Sequence, residues 1–267
     1  MKHVITRREA IVSLAGAAAL AALPRTHAAD AKSSTQPMSA SAPDLSSGPP
    51  IQHSVCKWCY RDIPLETFAA AAREIGLQSI ELLDPADWPV VQRHGLTCAM
   101  ANYPTAKTSD GTTVGGIGKA WNRVEHHDAL VSAYEKRIGE VADAGLTNLI
   151  CFSGNREGLD DPQGLENCAV GLKRILPLAE KRGVTIVMEL LNSKVNHKDY
   201  MCDRTTWGVE LAKRIGSERF KLLYDIYHMQ IMEGDVIQTI RDNIQYIGHV
   251  HTGGVPGRHE IDETQEL

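Results

Sequence analysis

The chain has 267 residues, of which 43% are hydrophobic and only 5% aromatic, and its formal charge is −5. That length suits one large domain or two small ones, with a core packed by Ala, Leu, Ile and Val more than by rings. Residues 1–28 hold Lys2, Arg7, Arg8 and Arg25 against Glu9, a net of +3, which leaves −8 for the remainder; an acidic body excludes nucleic acid as the main partner, because phosphate binding needs a basic footprint.

The chain opens on an address. "TRREAIVSLAGAAALAALPRTHAAD" has a charged start, an apolar stretch from Ala10 to Leu23 and small residues at Ala28 and Ala29. This is the pattern of an export signal over residues 1–29, and its apolar stretch is too short to span a bilayer. Arg7-Arg8 just before that stretch resembles a twin-arginine signal, which implies a periplasmic protein exported after folding. An ordinary secretory signal with two arginines is the alternative. Residues 30–50, rich in Ser, Ala and Pro, read as a disordered linker. The folded domain is expected over residues 51–267, with no membrane partner once the signal is removed.

From residue 53 short apolar runs alternate with stretches of helical period. Strands are expected at 53–58, 79–83, 97–102, 148–154, 185–192, 220–228 and 247–254. The spacing predicts helices at 64–76, 126–145, 161–183, 204–216 and 235–246, with a short one in "DWPVVQRHG" and a kink at Pro177. Residues 103–122 read as a long polar, Gly-rich loop. The apolar runs are nearly continuous, as in parallel strands covered on both faces. Regular βα alternation without a Gly-x-Gly-x-x-Gly after the first strand leaves a (β/α)8 TIM barrel as the expected α/β fold. Seven units are counted, so the eighth βα unit is expected to be missing from this chain.

Six cysteines permit disulfides without establishing them. "CKWC" at 56–59 has redox or zinc half-site spacing, but there is no second Cys-x-x-Cys. A buried structural thiol at Cys56 is the preferred reading.

In a barrel the C-terminal strand ends surround the active site. Those ends offer Glu81, Asn102, Ser153, Asn155, Glu189, Asn192, Asp225, His228, His249 and His251, with Arg258 just beyond. Glu189, Asp225 and His251 come from three neighbouring strands and make a donor set for Mn²⁺, Mg²⁺, Co²⁺ or Zn²⁺. A hydrogen-bonded polar plug closing the barrel end is the alternative. His249 is expected to face away from His251, toward the helices. Glu81 is a substrate contact or a surface carboxylate, and Asn102 is a candidate substrate contact. The His126-His127 pair is expected in solvent. Arg258, in a flexible loop, can clamp a carboxylate or phosphate.

"VMELLN", "YDIYHMQIMEGD" and "IGHVHTGGVPGRHEID" resemble the hydroxypyruvate isomerase group of the xylose-isomerase-like sugar isomerase/epimerase barrels, as do "HSVCKWCY", "SIELLDPADWP", "GLTCAM" and "LICFSGNREGL". The resemblance runs from about residue 53 to the end. It implies that Glu189 is a catalytic, metal-bound glutamate, that Asp225 is a metal ligand, and that His228 and Arg258 hold substrate oxygens. His251 falls where the hydroxypyruvate isomerases often have glutamine and related ketose epimerases have histidine. The family's fourth ligand, a glutamate on an eighth strand, lies beyond "HEIDETQEL"; Glu260, Glu263 and Glu266 are not that ligand.

The implied activity is isomerisation of a small hydroxy-carbonyl compound, hydroxypyruvate to 2-hydroxy-3-oxopropanoate, by enediolate proton transfer with Mg²⁺ or Mn²⁺, or else Co²⁺ or Zn²⁺. The partner expected is a small sugar or keto acid, and an oligomer is compatible with the sequence. A non-catalytic metal- and sugar-binding barrel or an inactive fragment is the competing reading.

Overall fold

The computed structural model describes residues 51–266. The expected signal (1–29) and linker (30–50) lie outside the described residues. Strand β1 (Ser54–Cys56) pairs in parallel with β2 (Ser79–Glu81). Helices α1 (Leu65–Glu74) and α2 (Trp88–Arg93) follow those two strands. Residues 97–101 occupy the third place in the wall through parallel bridges to Ser79, Leu83 and Leu149. This segment bonds to β2 by Ile80 N–H to Thr97 O and Leu82 N–H to Met100 O, and onward by Ala101 N–H to Asn148 O. Inside the expected loop lies a small antiparallel hairpin, β3 (Ala106–Lys107) with β4 (Thr113–Val114).

Helix α3 (His127–Asp143) leads into β5 (Asn148–Cys151), the first of four hydrogen-bonded parallel strands. Helix α4 (Asp161–Lys173) follows, starting on an Asp160 side chain that accepts from Gln163 N–H. The expected kink at Pro177 is a break: α5 (Leu176–Arg182) begins anew with that proline in its first turn and stops at Gly183 in the left-handed region, φ 72°. Then come β6 (Thr185–Glu189), α6 (Thr205–Ile215) and β7 (Phe220–Asp225). Strands β5 to β7 are buried almost throughout, which is why their sequences carry no alternation.

The expected strand 220–228 ends early. At Asp225 the chain turns into α7 (Ile226–Met232), because the Asp225 carboxylate accepts from His228 N–H and caps the first turn. Helix α8 (Val236–Asn243) and β8 (Ile247–His251) complete the order. Among the described residues the barrel wall thus has seven parallel strands in chain order, with β8 hydrogen-bonded to β7.

The adjacent histidines are not solvated. His126 and His127 are buried, and their rings donate to the carbonyls of Ala120 at 3.0 Å and Trp121 at 2.9 Å. The pair straddles a helix start, so the two rings serve two carbonyls of the preceding loop instead of sharing a helical face.

Candidate active site

Register brings the site together. Asp225 on β7 lies opposite His251 on β8, and Glu189 on β6 lies opposite Leu223 on β7. The three side chains therefore converge at one end of the barrel. Their ligand atoms lie within 4.8 Å of one another, and all three residues are buried or nearly so. His251 Nδ1 is 3.4 Å from Glu189 Oε1. Tyr200 steadies the end of β6 by donating its hydroxyl to the Glu189 carbonyl at 2.9 Å.

Electrostatics fit a cation. Burial first, then the neighbouring Glu189 charge, raise the Asp225 carboxyl to about 6. Burial alone would depress His251, but its bonds to Cys56, Glu189 and Glu81 outweigh that and hold the imidazolium well above its usual range. Two carboxylates and an imidazole that crowd one buried point, with a proton held between them, are the donor set that a divalent ion replaces protons to enter. Ion binding is therefore expected to release about one proton near pH 7, from His251, and a second as the pH drops below about 6, where Asp225 is protonated. Affinity should rise with pH. Titration calorimetry in buffers of differing ionisation enthalpy measures the release, and a pH-independent affinity would contradict it.

His228 stands beside this group. It is 1% exposed, and its Nδ1 accepts from the Asn192 backbone N–H at 3.2 Å and the Asn192 side-chain amide at 2.7 Å. Two donors on Nδ1 leave the ring proton on Nε2, which lies 3.8 Å from Asp225 Oδ2. Burial, then the charges of Arg258, His197 and His251, press its pKa down to about 2, so it stays a neutral donor.

Arg258 reaches over the same carboxylate, with Nη2 at 3.8 Å from Asp225 Oδ2. Its guanidinium is clasped between Trp58 and Tyr227, 4.9 and 4.8 Å from the ring centroids. Arg258 itself has φ 59°, in the left-handed region. The aromatic clasp comes from the turn after β1 and from α7, two segments distant in sequence.

Two expectations need correcting. His249 does not face the helices: its Nε2 donates to both Glu81 oxygens, at 2.9 and 3.0 Å, and its ring lies 5.3 Å from that of His251. Residues two apart on a strand share a face, and in β8 it is Gly248 and Val250 that point outward. Glu81 is not a surface carboxylate. It is fully buried, with its oxygens taken by His249, His251 and the Ser54 hydroxyl. Although burial works against ionisation, the two histidine bonds hold it ionised, near a pKa of about 2. Asn102, at the end of the third wall segment, turns its amide to Asp84 at 3.4 Å and accepts from Tyr103 N–H at 3.1 Å.

Cys56 is half-buried at the rim, not deep in the core, with Sγ 3.9 Å from His251 Nε2. All six cysteines are free thiols. Cys59 sits in a 3-10 turn, and burial with the Cys56 charge raises its pKa, so it lacks the low-pKa thiolate of a redox pair.

Comparison with known proteins decides the kinship. A family model described as "Xylose isomerase-like TIM barrel" matches residues 60–264. The chain belongs to that family. A 2-oxo-tetronate isomerase of Cupriavidus necator is 29% identical over 207 residues, covering 74% of this chain and 76% of its own. A "Putative hydroxypyruvate isomerase" of Homo sapiens is 24% identical over 220 residues, covering 79% and 69%. Among solved structures, "AP endonuclease, family 2" from Brucella melitensis superimposes with a TM-score of 0.70 at 22% identity, over 81% and 84% of the two chains; at that identity the likeness is one of fold. By its sequence relatives this xylose isomerase-like barrel is an enzyme of the isomerase and epimerase class.

Proposed function

We propose that this chain is a metal-dependent isomerase that moves a proton between adjacent carbons of a small α-hydroxycarbonyl acid, with hydroxypyruvate to 2-hydroxy-3-oxopropanoate as its first candidate reaction. The convergence of Glu189, Asp225 and His251 within 4.8 Å, beside an arginine and a neutral histidine, carries the reading. Glu189, Asp225 and His251 would hold a divalent ion, which supplies Lewis-acid polarisation of the substrate carbonyl when bound. Mg²⁺ or Mn²⁺ fits a set dominated by carboxylates.

The chain's own groups do the remainder. Glu189 removes the proton alpha to the carbonyl and, now protonated, returns it to the neighbouring carbon. The isomerisation also moves a proton from the substrate's hydroxyl oxygen to the former carbonyl oxygen, and His228, held by Asn192, would donate Nε2–H to the carbonyl oxygen and recover a proton from the hydroxyl that becomes the new carbonyl. Arg258 pairs with the substrate carboxylate, its planar fork pre-ordered by Trp58 and Tyr227.

A single experiment tests this. Hydroxypyruvate, the four-carbon 2-keto acid and neutral ketoses are incubated in D₂O with Mn²⁺ or Mg²⁺ and followed by NMR. Isomerisation with deuterium entering at carbon is the expected result, and Arg258→Leu should raise KM for the acids about tenfold or more while leaving neutral ketoses little changed. No exchange with any of these compounds under either metal would sink the proposal.

A further inference from the structure

Glu81 is a fully buried carboxylate that the isomerisation does not use, yet three donors converge on it. His249 Nε2 reaches it at 2.9 Å, His251 Nε2 at 2.9 Å, and the Ser54 hydroxyl also donates to it. The sequence distance is large: Glu81 stands on β2, Ser54 on β1 and the two histidines on β8. A buried carboxylate is held this way only if its position matters or its partners need it, since an unpaired buried charge is costly.

His251 shows which. The ring has two nitrogens that face different partners. Nε2 points to Glu81, and Nδ1 points to Glu189 at 3.4 Å. A nitrogen that donates its proton to Glu81 has no lone pair for an ion, so Nδ1 is the atom left to coordinate.

We infer that Glu81 is a positioning residue, which by accepting from His251 Nε2–H fixes the ring and its tautomer so that Nδ1 faces the ion held by Glu189 and Asp225. The inference rests on the metal reading of that site. His249 and Ser54 complete the arrangement by fixing the carboxylate from two further directions, so the anchor spans β1, β2 and β8. A carboxylate behind a ligating histidine both orients it and raises its basicity.

A rival arrangement uses the same atoms. Cys56, Glu81 and His251 also lie within 4.8 Å of one another and could hold an ion of their own. That site would need His251 Nε2 as a bare acceptor and would strip Glu81 of a bond already made at 2.9 Å. Cys56 Sγ stands off at 3.9 Å from the same nitrogen. The made bond favours the positioning role.

The test uses Zn²⁺ as the probe, with long-range ¹H–¹⁵N spectra of the histidine rings and competition against a chelator. In the wild-type protein Zn²⁺ should shift His251 Nδ1 while Nε2 keeps its proton. Glu81→Gln, whose amide can accept or donate and so fixes neither tautomer, should bind Zn²⁺ about 10–100-fold more weakly. It should also show His251 as a mixture of tautomers. Ser54→Ala, which removes one of the holds on Glu81 but leaves both histidine bonds, should weaken Zn²⁺ binding less than Glu81→Gln does and keep His251 in a single tautomer. Coordination through Nε2, or two ions in the wild type and one of unchanged affinity in Glu81→Gln, would overturn the positioning role in favour of Glu81 as a ligand. Equal affinity in wild type and Glu81→Gln would overturn it alone. Failure of the wild type to bind any ion would instead remove the metal reading on which it stands. Should Glu81→Gln not fold, the wild-type spectra decide by themselves.

Discussion

Glu189→Gln is expected to lower turnover by about 10²–10⁴-fold, the share that a positioned base contributes. The substitution keeps the size and shape of the side chain, and the Tyr200 bond goes to the Glu189 carbonyl, not its carboxylate. The fold should therefore survive. Two effects have to be separated, because Glu189 is both candidate base and candidate ligand. Measured at saturating Mn²⁺, the deficit in kcat reports the lost base. The concentration of ion needed to saturate reports the lost ligand. Exchange of the substrate's α-proton with D₂O supplies a further readout, since it needs abstraction but not completion. Near-normal exchange in the variant would take the proton-transfer role away from Glu189.

The barrel and the core of its site were legible in the sequence for a physical reason. Parallel strands buried on both faces read as continuous apolar runs, and a carboxylate or imidazole ending such a run stands out against it. Glu189, Asp225 and His251 each stand at the end of a strand in this way. What the sequence hid is of two kinds. One is local: Ile226–Met232 continues the apolar run of β7, so the helix start at Asp225 was masked, and only the Asp-x-x-His spacing of a capped turn signals it.

The other kind is long-range. Trp58, Tyr227 and Arg258 meet only in the fold, and no spacing rule joins them. Asn192 was visible as a strand-end polar residue, but its double hold on His228 depends on where α7 places that ring. Glu81 was visible too, yet its partners sit some 170 residues away on β8. For His249 the two-residue period of a strand already placed it on the face of His251, and the expectation of an outward ring ran against that period.

Asp225→Asn should abolish metal-dependent stabilisation and yet make the metal-free protein more stable. Asp225 is 1% exposed, and its carboxyl is raised from 3.8 to about 6. The ionised form is thus the destabilised one at neutral pH, by something on the order of 1–3 kcal/mol. Asparagine is neutral, nearly the same shape and as good a helix cap as aspartate, so the bond from His228 N–H to the start of α7 is retained. For a domain of this size, the gain corresponds to a rise in Tm of about 2–10 °C.

The pH dependence gives the cause away. A carboxyl whose folded pKa lies above its unfolded value favours folding as protons are added. The wild-type protein therefore recovers this lost stability as the pH falls from 7 through 6 toward 3.8. Buried His228, pressed down to about 2, works the other way below 6.5, but it is common to both proteins and cancels in the comparison. The stability difference between Asp225→Asn and wild type should accordingly narrow as the pH drops. Metal-free thermal melts of the two proteins between pH 7.5 and 4.5 measure it. A difference that stays constant would mean the variant's stability has another origin; a variant less stable than wild type at neutral pH would mean that Asp225 is satisfied without an ion. Stability withheld by a single buried carboxylate, and released when the charge is removed, would support the cation-binding role proposed for this site.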